Sequence, residues 1–203
     1  MSRHLFIDLD RTLFRTTEFD QQRWQLLEQW FPGVVSAERE QPRQYEFFLH
    51  SGELYAYDCV AHLQALGLDA PAVLARLRQS PLADGRLEYE GTAQLIAWAQ
   101  QQGEVTVLTY GPDEYQRLKA ALCPSLREVT VVTTLRPKHE YFYELTLEGE
   151  VWMVDDKPIG DELPAGVRFI QAAGYNALPV PDGAAWPVAT TLADISAIIE
   201  QQR

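Results

Sequence analysis

The 203-residue chain is long enough for one substantial hydrophobic core, or for a core with a smaller insertion. Its 17 Lys and Arg against 29 Asp and Glu give a formal charge of −12, which argues against nucleic acid or an anionic membrane surface as a partner, since both favour basic faces. The apolar runs are far shorter than a membrane span, and Met-Ser-Arg-His leads into a strand rather than a signal sequence, so a cytoplasmic protein is expected.

The first element reads as a buried strand, apolar almost without a break from Leu5 to Ile7 and ending in Asp8-Leu9-Asp10-Arg11-Thr12-Leu13-Phe14. Two carboxylates at the end of such a strand are costly unless a cation or hydrogen-bond donors compensate them. Read alone, Asp-x-Asp-x-Thr is also an ordinary strand-to-turn junction. Helical spacing follows: Trp24, Leu27 and Phe31 predict a helix over about 18–31, stopped by Pro32-Gly33, with a polar loop over 34–42. Further helices are expected over 43–50, over 53–66 with Leu54, Tyr57 and Ala61 on one face, and over 70–79 behind Asp69. No strand is visible between 15 and 85.

Beyond Gly91 strands and helices alternate. A helix over 92–102 closes on Gly103 and leads to a β-branched strand over 104–109, then a helix from Pro112 with Tyr115, Leu118 and Leu122 on one face. A strand over 128–133, a helix over 138–147, strands over 151–154 and 167–170, and a terminal helix carrying Leu192, Ile195 and Ile199 complete the chain. Such alternation predicts an α/β fold, a Rossmann-like, mainly parallel sheet covered by helices on both faces. The first strand belongs to that sheet, so residues 1–15 and 85–203 form the core domain and 16–84 a helical insertion, with Pro81, Gly85 and Gly91 marking the return.

Cys59 and Cys123 make neither a Cys-x-x-Cys nor a zinc pattern, and buried thiols are expected. No Arg stands six residues after either, which sets aside a cysteine phosphatase. His4, His50, His62 and His139 form no ligand pair, and the aromatic residues of the insertion are mostly explained by packing.

In an open parallel sheet, ligands sit outside the carboxyl ends of the strands. That rule gathers Asp8 and Asp10, Thr109-Tyr110-Gly111, Lys138, and Asp155-Asp156 on one edge. In order and placement these segments resemble the four motifs of the haloacid dehalogenase-like hydrolase superfamily, over residues 1–15 and 85–175; Asp8-Leu9-Asp10-Arg11-Thr12 is the most specific of them. Arg11 stands where that family often has Gly, and Tyr110 where Asn is frequent. The insertion over 16–84 resembles the family's α-helical cap.

The resemblance implies a phosphatase. Asp8 would attack phosphorus to form an aspartyl phosphate, and Asp10 would protonate the leaving oxygen and then activate water. Mg²⁺ would be held by Asp8, Asp155, the Asp10 carbonyl and Asp156, the last alternatively a partner of Lys138; oxygen donors of this kind suit a hard divalent cation. Thr109 and the amides of Tyr110 and Gly111 would hold phosphoryl oxygens, and Lys138, or its rival Arg136, would offset charge. The substrate is expected to be a small phosphorylated metabolite. A phosphomutase on the same core and a non-catalytic phospholigand-binding protein are the alternatives; dehalogenation needs neither a metal nor an acid at position 10.

Overall fold

A computed structural model of the chain describes residues 2–40, 43–51, 54–146 and 148–202. In chain order the elements are β1 (Arg3–Ile7), α1 (Thr16–Trp30), α2 (Pro32–Glu40), β2 (Phe48–Ser51), β3 (Leu54–Tyr57), α3 (Cys59–Ala65), α4 (Ala70–Arg78), α5 (Thr92–Gln102), β4 (Gly103–Tyr110), α6 (Asp113–Ala121), β5 (Thr130–Thr134), α7 (Lys138–Tyr143), β6 (Glu150–Asp155), β7 (Val167–Ala172), β8 (Val188–Ala189) and α8 (Leu192–Gln201).

The six-stranded sheet has the order β5-β4-β1-β6-β7-β8, and every pairing in it is parallel. β1 is central, and a strand with neighbours on both sides and helices above and below reads as an apolar run. Alternate side chains feed two cores: Leu5 and Ile7 join Val107, Trp152 and Val154 on one face, while Phe6 joins Leu108, Met153 and Phe142 on the other. The last helix is held at its start by a capping box between Thr191 and Asp194. None of the described helices is long and apolar enough to cross a membrane.

The chain leaves the sheet at Phe14 and returns beside it. Arg15 donates from its amide to the Leu87 carbonyl (2.8 Å), and Tyr89 from its amide to the Leu13 carbonyl (3.0 Å). Leu9, Leu13 and Phe14 then belong to the same apolar cluster as Phe19, Leu27, Cys59, Leu63 and Leu77 of the inserted stretch. Both cysteines are buried and free, as expected.

Three expectations for the insertion need correction. Residues 34–40 are not a polar loop, and 41–42 lie outside the described residues: α2 runs from Pro32, which suits the first helical position, and buries Val35 and Glu38 three residues apart. Of the helices expected over 43–50 and 53–66, the first survives only as a single 3-10 turn over Gln44–Phe47, and the second begins only at Cys59, where Asp58 caps it through the Ala61 amide. Between them β2 and β3 form an antiparallel hairpin, and Glu53 lies outside the described residues. The insertion is therefore not strand-free. Aromatic pairing across the hairpin, Phe48 opposite Tyr57 and His50 opposite Tyr55, outweighs the helical spacing of Leu54, Tyr57 and Ala61. The two-residue strand β8, at the sheet edge, left no readable pattern in the sequence.

Phe14 is fully buried at the point where β1 hands over to the insertion, with its ring 5.3 Å from that of Phe19. Phe14→Ala is expected to lower stability by about 3–5 kcal/mol, the cost of a large cavity in a close-packed core, measured by denaturant unfolding.

Candidate active site

Parallel register sets Ile7 beside both Val107 and Val154, so Asp8 and Asp155 leave the sheet as neighbours. The Asp8 amide extends the ladder by one bond to the Val154 carbonyl (2.9 Å). Both carboxylates are buried, where an uncompensated charge is costly. Lys138, the first residue of α7, supplies the compensation: its Nζ donates to Asp8 Oδ1 and to Asp155 Oδ2 (2.7 Å). Thr12 Oγ1 donates weakly to Asp8 Oδ2 (3.4 Å), and the Lys157 amide donates to Asp155 Oδ1 (2.9 Å).

One ammonium does not balance the acids present. Asp8, Asp155 and Asp156 each place an oxygen within 4.8 Å of the others. Burial pushes the Asp8 carboxyl up to about 7, with Asp155 and Asp10 adding to the rise against the pull of Lys138. Burial, then Asp8 and Asp155, push Asp156 up to about 8. Burial alone would lower Lys138, but Asp155 and Asp8 outweigh it and hold the ammonium above its ordinary value. Three oxygen donors with surplus negative charge fit a small hard cation, and these side chains could hold Mg²⁺. Asp156 belongs to this group rather than to the hydrogen-bond partners of Lys138, which are Asp8 and Asp155.

The Asp10 carboxylate faces elsewhere. Lys119 Nζ donates to both its oxygens (2.6 and 2.5 Å), and Thr16 Oγ1 donates to Oδ1 (2.6 Å). Burial pushes this carboxyl up, but Lys119 and Thr16 together hold it below the ordinary range. The two acids of the first motif thus live in different surroundings, one sharing a lysine with a second acid and one with a lysine to itself. For a metal, Asp10 has only its backbone carbonyl left to offer.

A cavity of about 480 Å³ is lined by Asp8, Asp10, Asp155, Asp156 and Lys138 from the strand ends and α7 and by Phe48, Tyr55 and Tyr57 of the β2–β3 hairpin. Tyr110 lines it, while Thr109 and Gly111 do not. Thr109 is fully buried, and its Oγ1 has no hydrogen-bond partner among the described residues. Gly111 has φ +145°, and a Cβ there would lie 2.3 Å from Gln116 Nε2, which donates to the Tyr110 carbonyl (2.7 Å). The close approach expected at Gly111 is made by the Gln116 side chain. Arg136 forms an exposed pair with Glu144 (2.7 Å), so Lys138 and not Arg136 reaches the carboxylates. His139 pairs with Glu162 (2.7 Å) at the cavity edge.

Lys119, Thr16 and Gln116 escape the sequence reading. Lys119 carried one signal: it stands four residues after Tyr115, on the helix face that Leu118 and Leu122 mark as buried, where a lysine needs an anionic partner.

No protein-family model and no curated protein matches the chain. Solved structures do. A haloacid dehalogenase-like hydrolase from Burkholderia xenovorans aligns over 98% of this chain and 97% of its own, at 16% identity and a TM-score of 0.69. A HAD phosphatase from Thermococcus onnurineus aligns over 98% of both chains at 19% identity and a TM-score of 0.61. The HAD-hydrolase YfnB from Bacillus subtilis, bound to magnesium, covers 98% of each at 16% identity and a TM-score of 0.53. At such identities the likeness is one of fold.

Lys119 is almost fully buried with Asp10 as its ion-pair partner, so its removal strands a carboxylate. Lys119→Met is expected to cost about 2–3 kcal/mol, below the ~3–5 kcal/mol for a fully buried pair because Asp10 still reaches water. Lys157→Met, at an exposed position, should stay within about 0.5 kcal/mol, both measured by denaturant unfolding.

Proposed function

Since the chain has the haloacid dehalogenase-like fold, we propose that it is a hydrolase of that kind, a Mg²⁺-dependent phosphomonoesterase acting through an aspartyl phosphate on Asp8. The observation that carries this reading is the setting of Asp8, buried at the end of the central strand between Lys138 and the Asp155–Asp156 pair. A carboxylate approaches a phosphoryl group only where charge on both is neutralised, and this corner concentrates the means to do so.

Asp8 attacks phosphorus in line as the bond to the leaving oxygen breaks; Asp10, a carboxylate at rest beside Lys119, takes up the proton of the bound phosphomonoester monoanion and delivers it to that oxygen. Water then attacks the aspartyl phosphate, Asp10 takes its proton, and inorganic phosphate leaves with Asp8 restored. Lys119 favours the carboxylate form of Asp10, the form that accepts the proton from water. Lys138 holds Asp8 in place and offsets charge on both the nucleophile and the phosphoryl oxygens. The Thr109 hydroxyl at the neighbouring strand end, buried and without a partner among the described residues, is the donor this reading assigns to one of those oxygens. Bound Mg²⁺, held by Asp8, Asp155, Asp156 and the Asp10 carbonyl, supplies neutralising charge to the phosphoryl group.

Phosphate release from simple phosphomonoesters should require Mg²⁺ and stop on chelation. Asp8→Asn should reduce it by roughly 10³-fold or more, and Asp10→Asn by about 10²–10⁴-fold. Full activity in Asp8→Asn overturns the reading. Independently of turnover, Mg²⁺ should raise the unfolding temperature of the wild type saturably, and Asp155→Asn should remove most of that rise.

A further inference from the structure

We propose that the wall of the cavity facing Asp8 is a subsite for a flat, uncharged leaving group, so that the preferred substrates are phosphomonoesters of aryl-bearing or similarly planar alcohols. The proposal rests on the phosphomonoesterase reading and extends it from reaction to substrate class.

Four rings form an unbroken ladder from the rim to the acid–base residue. Tyr55, 64% exposed on β3, lies 5.5 Å from Phe48 on β2, which lies 5.7 Å from Tyr57; Tyr57 lies 5.5 Å from Tyr115 on α6. The ladder ends at Lys119, whose Nζ stands 4.9 Å from the Tyr115 ring centre and holds Asp10. All four aromatic residues line the cavity. The group leaving phosphorus departs toward Asp10, which hands it a proton, so the remainder of that group extends along these rings.

The inner tyrosines offer rings rather than hydroxyls. The Tyr57 hydroxyl is taken by His62 Nδ1 (2.7 Å) and Arg23 (3.4 Å), and that of Tyr115 donates to Asp20 (2.9 Å). Charge on this wall is equally specific. Among the described residues that the insertion contributes to the cavity lining, Asp20 is the one charged side chain, and its counter-ion Arg23 is buried behind it (3.3 Å). The cations Arg11 and Lys157, which also line the cavity, are next in sequence to Asp10 and Asp156 and belong to the core rather than to the insertion. Along this wall, among the described residues, Lys119 is the one cation and is already held by Asp10, so a second phosphate or a carboxylate on the leaving group would meet aromatic rings and the Asp20 carboxylate. A planar face stacks on such rings at a gain of about tenfold in affinity per good contact.

Three esters separate shape from charge at nearly constant leaving-group chemistry: benzyl phosphate, propyl phosphate and propane-1,3-diyl bisphosphate. Binding is measured by calorimetry with the Asp8→Asn protein and Mg²⁺, and phosphate release with the wild type. Benzyl phosphate should bind roughly tenfold more tightly than propyl phosphate, and the bisphosphate no more tightly than propyl phosphate. Tyr55→Ala, at an exposed position, and Phe48→Ala should each bring the benzyl-to-propyl ratio toward one, while Tyr55→Phe keeps it; circular dichroism checks folding of each variant. A ratio near one in the unaltered wall, a preference for the bisphosphate, or no binding of benzyl phosphate overturns the subsite. If the ratio holds but the wild type releases phosphate from none of the three, the phosphomonoesterase reading fails and the subsite stands.

Discussion

Crowding of negative charge at the end of one buried strand is the constraint on which this structure turns. Asp8 and Asp155 cannot both remain charged at the rim of an apolar core without an opposite charge between them, and Lys138 is that charge. Its position at the first residue of α7 fixes where that helix starts and draws the β5–α7 connection over the site. Asp10, two residues on, is neutralised separately by Lys119 from α6. The acids are thus divided between two lysines on two helices, and each helix is tied to the floor of the cavity by its own ion pair.

The loop that carries the acids is held from behind as well as from within. Arg11 sits in the left-handed region at φ 60°, a strained setting for a residue with a side chain. The Asn176 amide donates to its carbonyl (2.8 Å), and the Tyr175 hydroxyl donates to the carbonyl of Thr12 (2.9 Å). Residues far downstream therefore stiffen the turn that follows Asp8. That the family resembled by this sequence often has Gly at this place agrees with the backbone conformation found there.

The sheet was legible because its strands carry their signal locally: unbroken apolar or β-branched runs, each ending in a polar cluster. Asp8, Asp155, Asp156 and Lys138 were legible together because topology brings strand ends to one edge, and Lys138 is preferred over Arg136 because it opens an apolar-patterned helix. The hairpin was not, because Leu54, Tyr57 and Ala61 fit a helical period and the cross-strand pairs that decide the matter are not visible in a single segment. Lys119 was passed over because lysines on helices are ordinarily solvated; its burial follows from Asp10 lying opposite, a fact of tertiary structure. Gly111 was read as room for a ligand, yet the room is filled by the Gln116 side chain five residues on.

The central position of β1 also sets a timetable. Its partners β4 and β6 lie far downstream, Arg3 pairing with Gly103 on one side and Glu150 on the other. At a synthesis rate of ~5–20 residues per second, roughly seven to thirty seconds pass before both are made. Through that interval a central strand of the sheet has two open edges, each a template for the wrong neighbour. The insertion, made next and built mainly from short-range helices, gives Leu13 and Phe14 an early place to pack while β1 waits. The stretch between Asp8 and the other strand ends is then a nursery for the strand as well as part of the cavity wall.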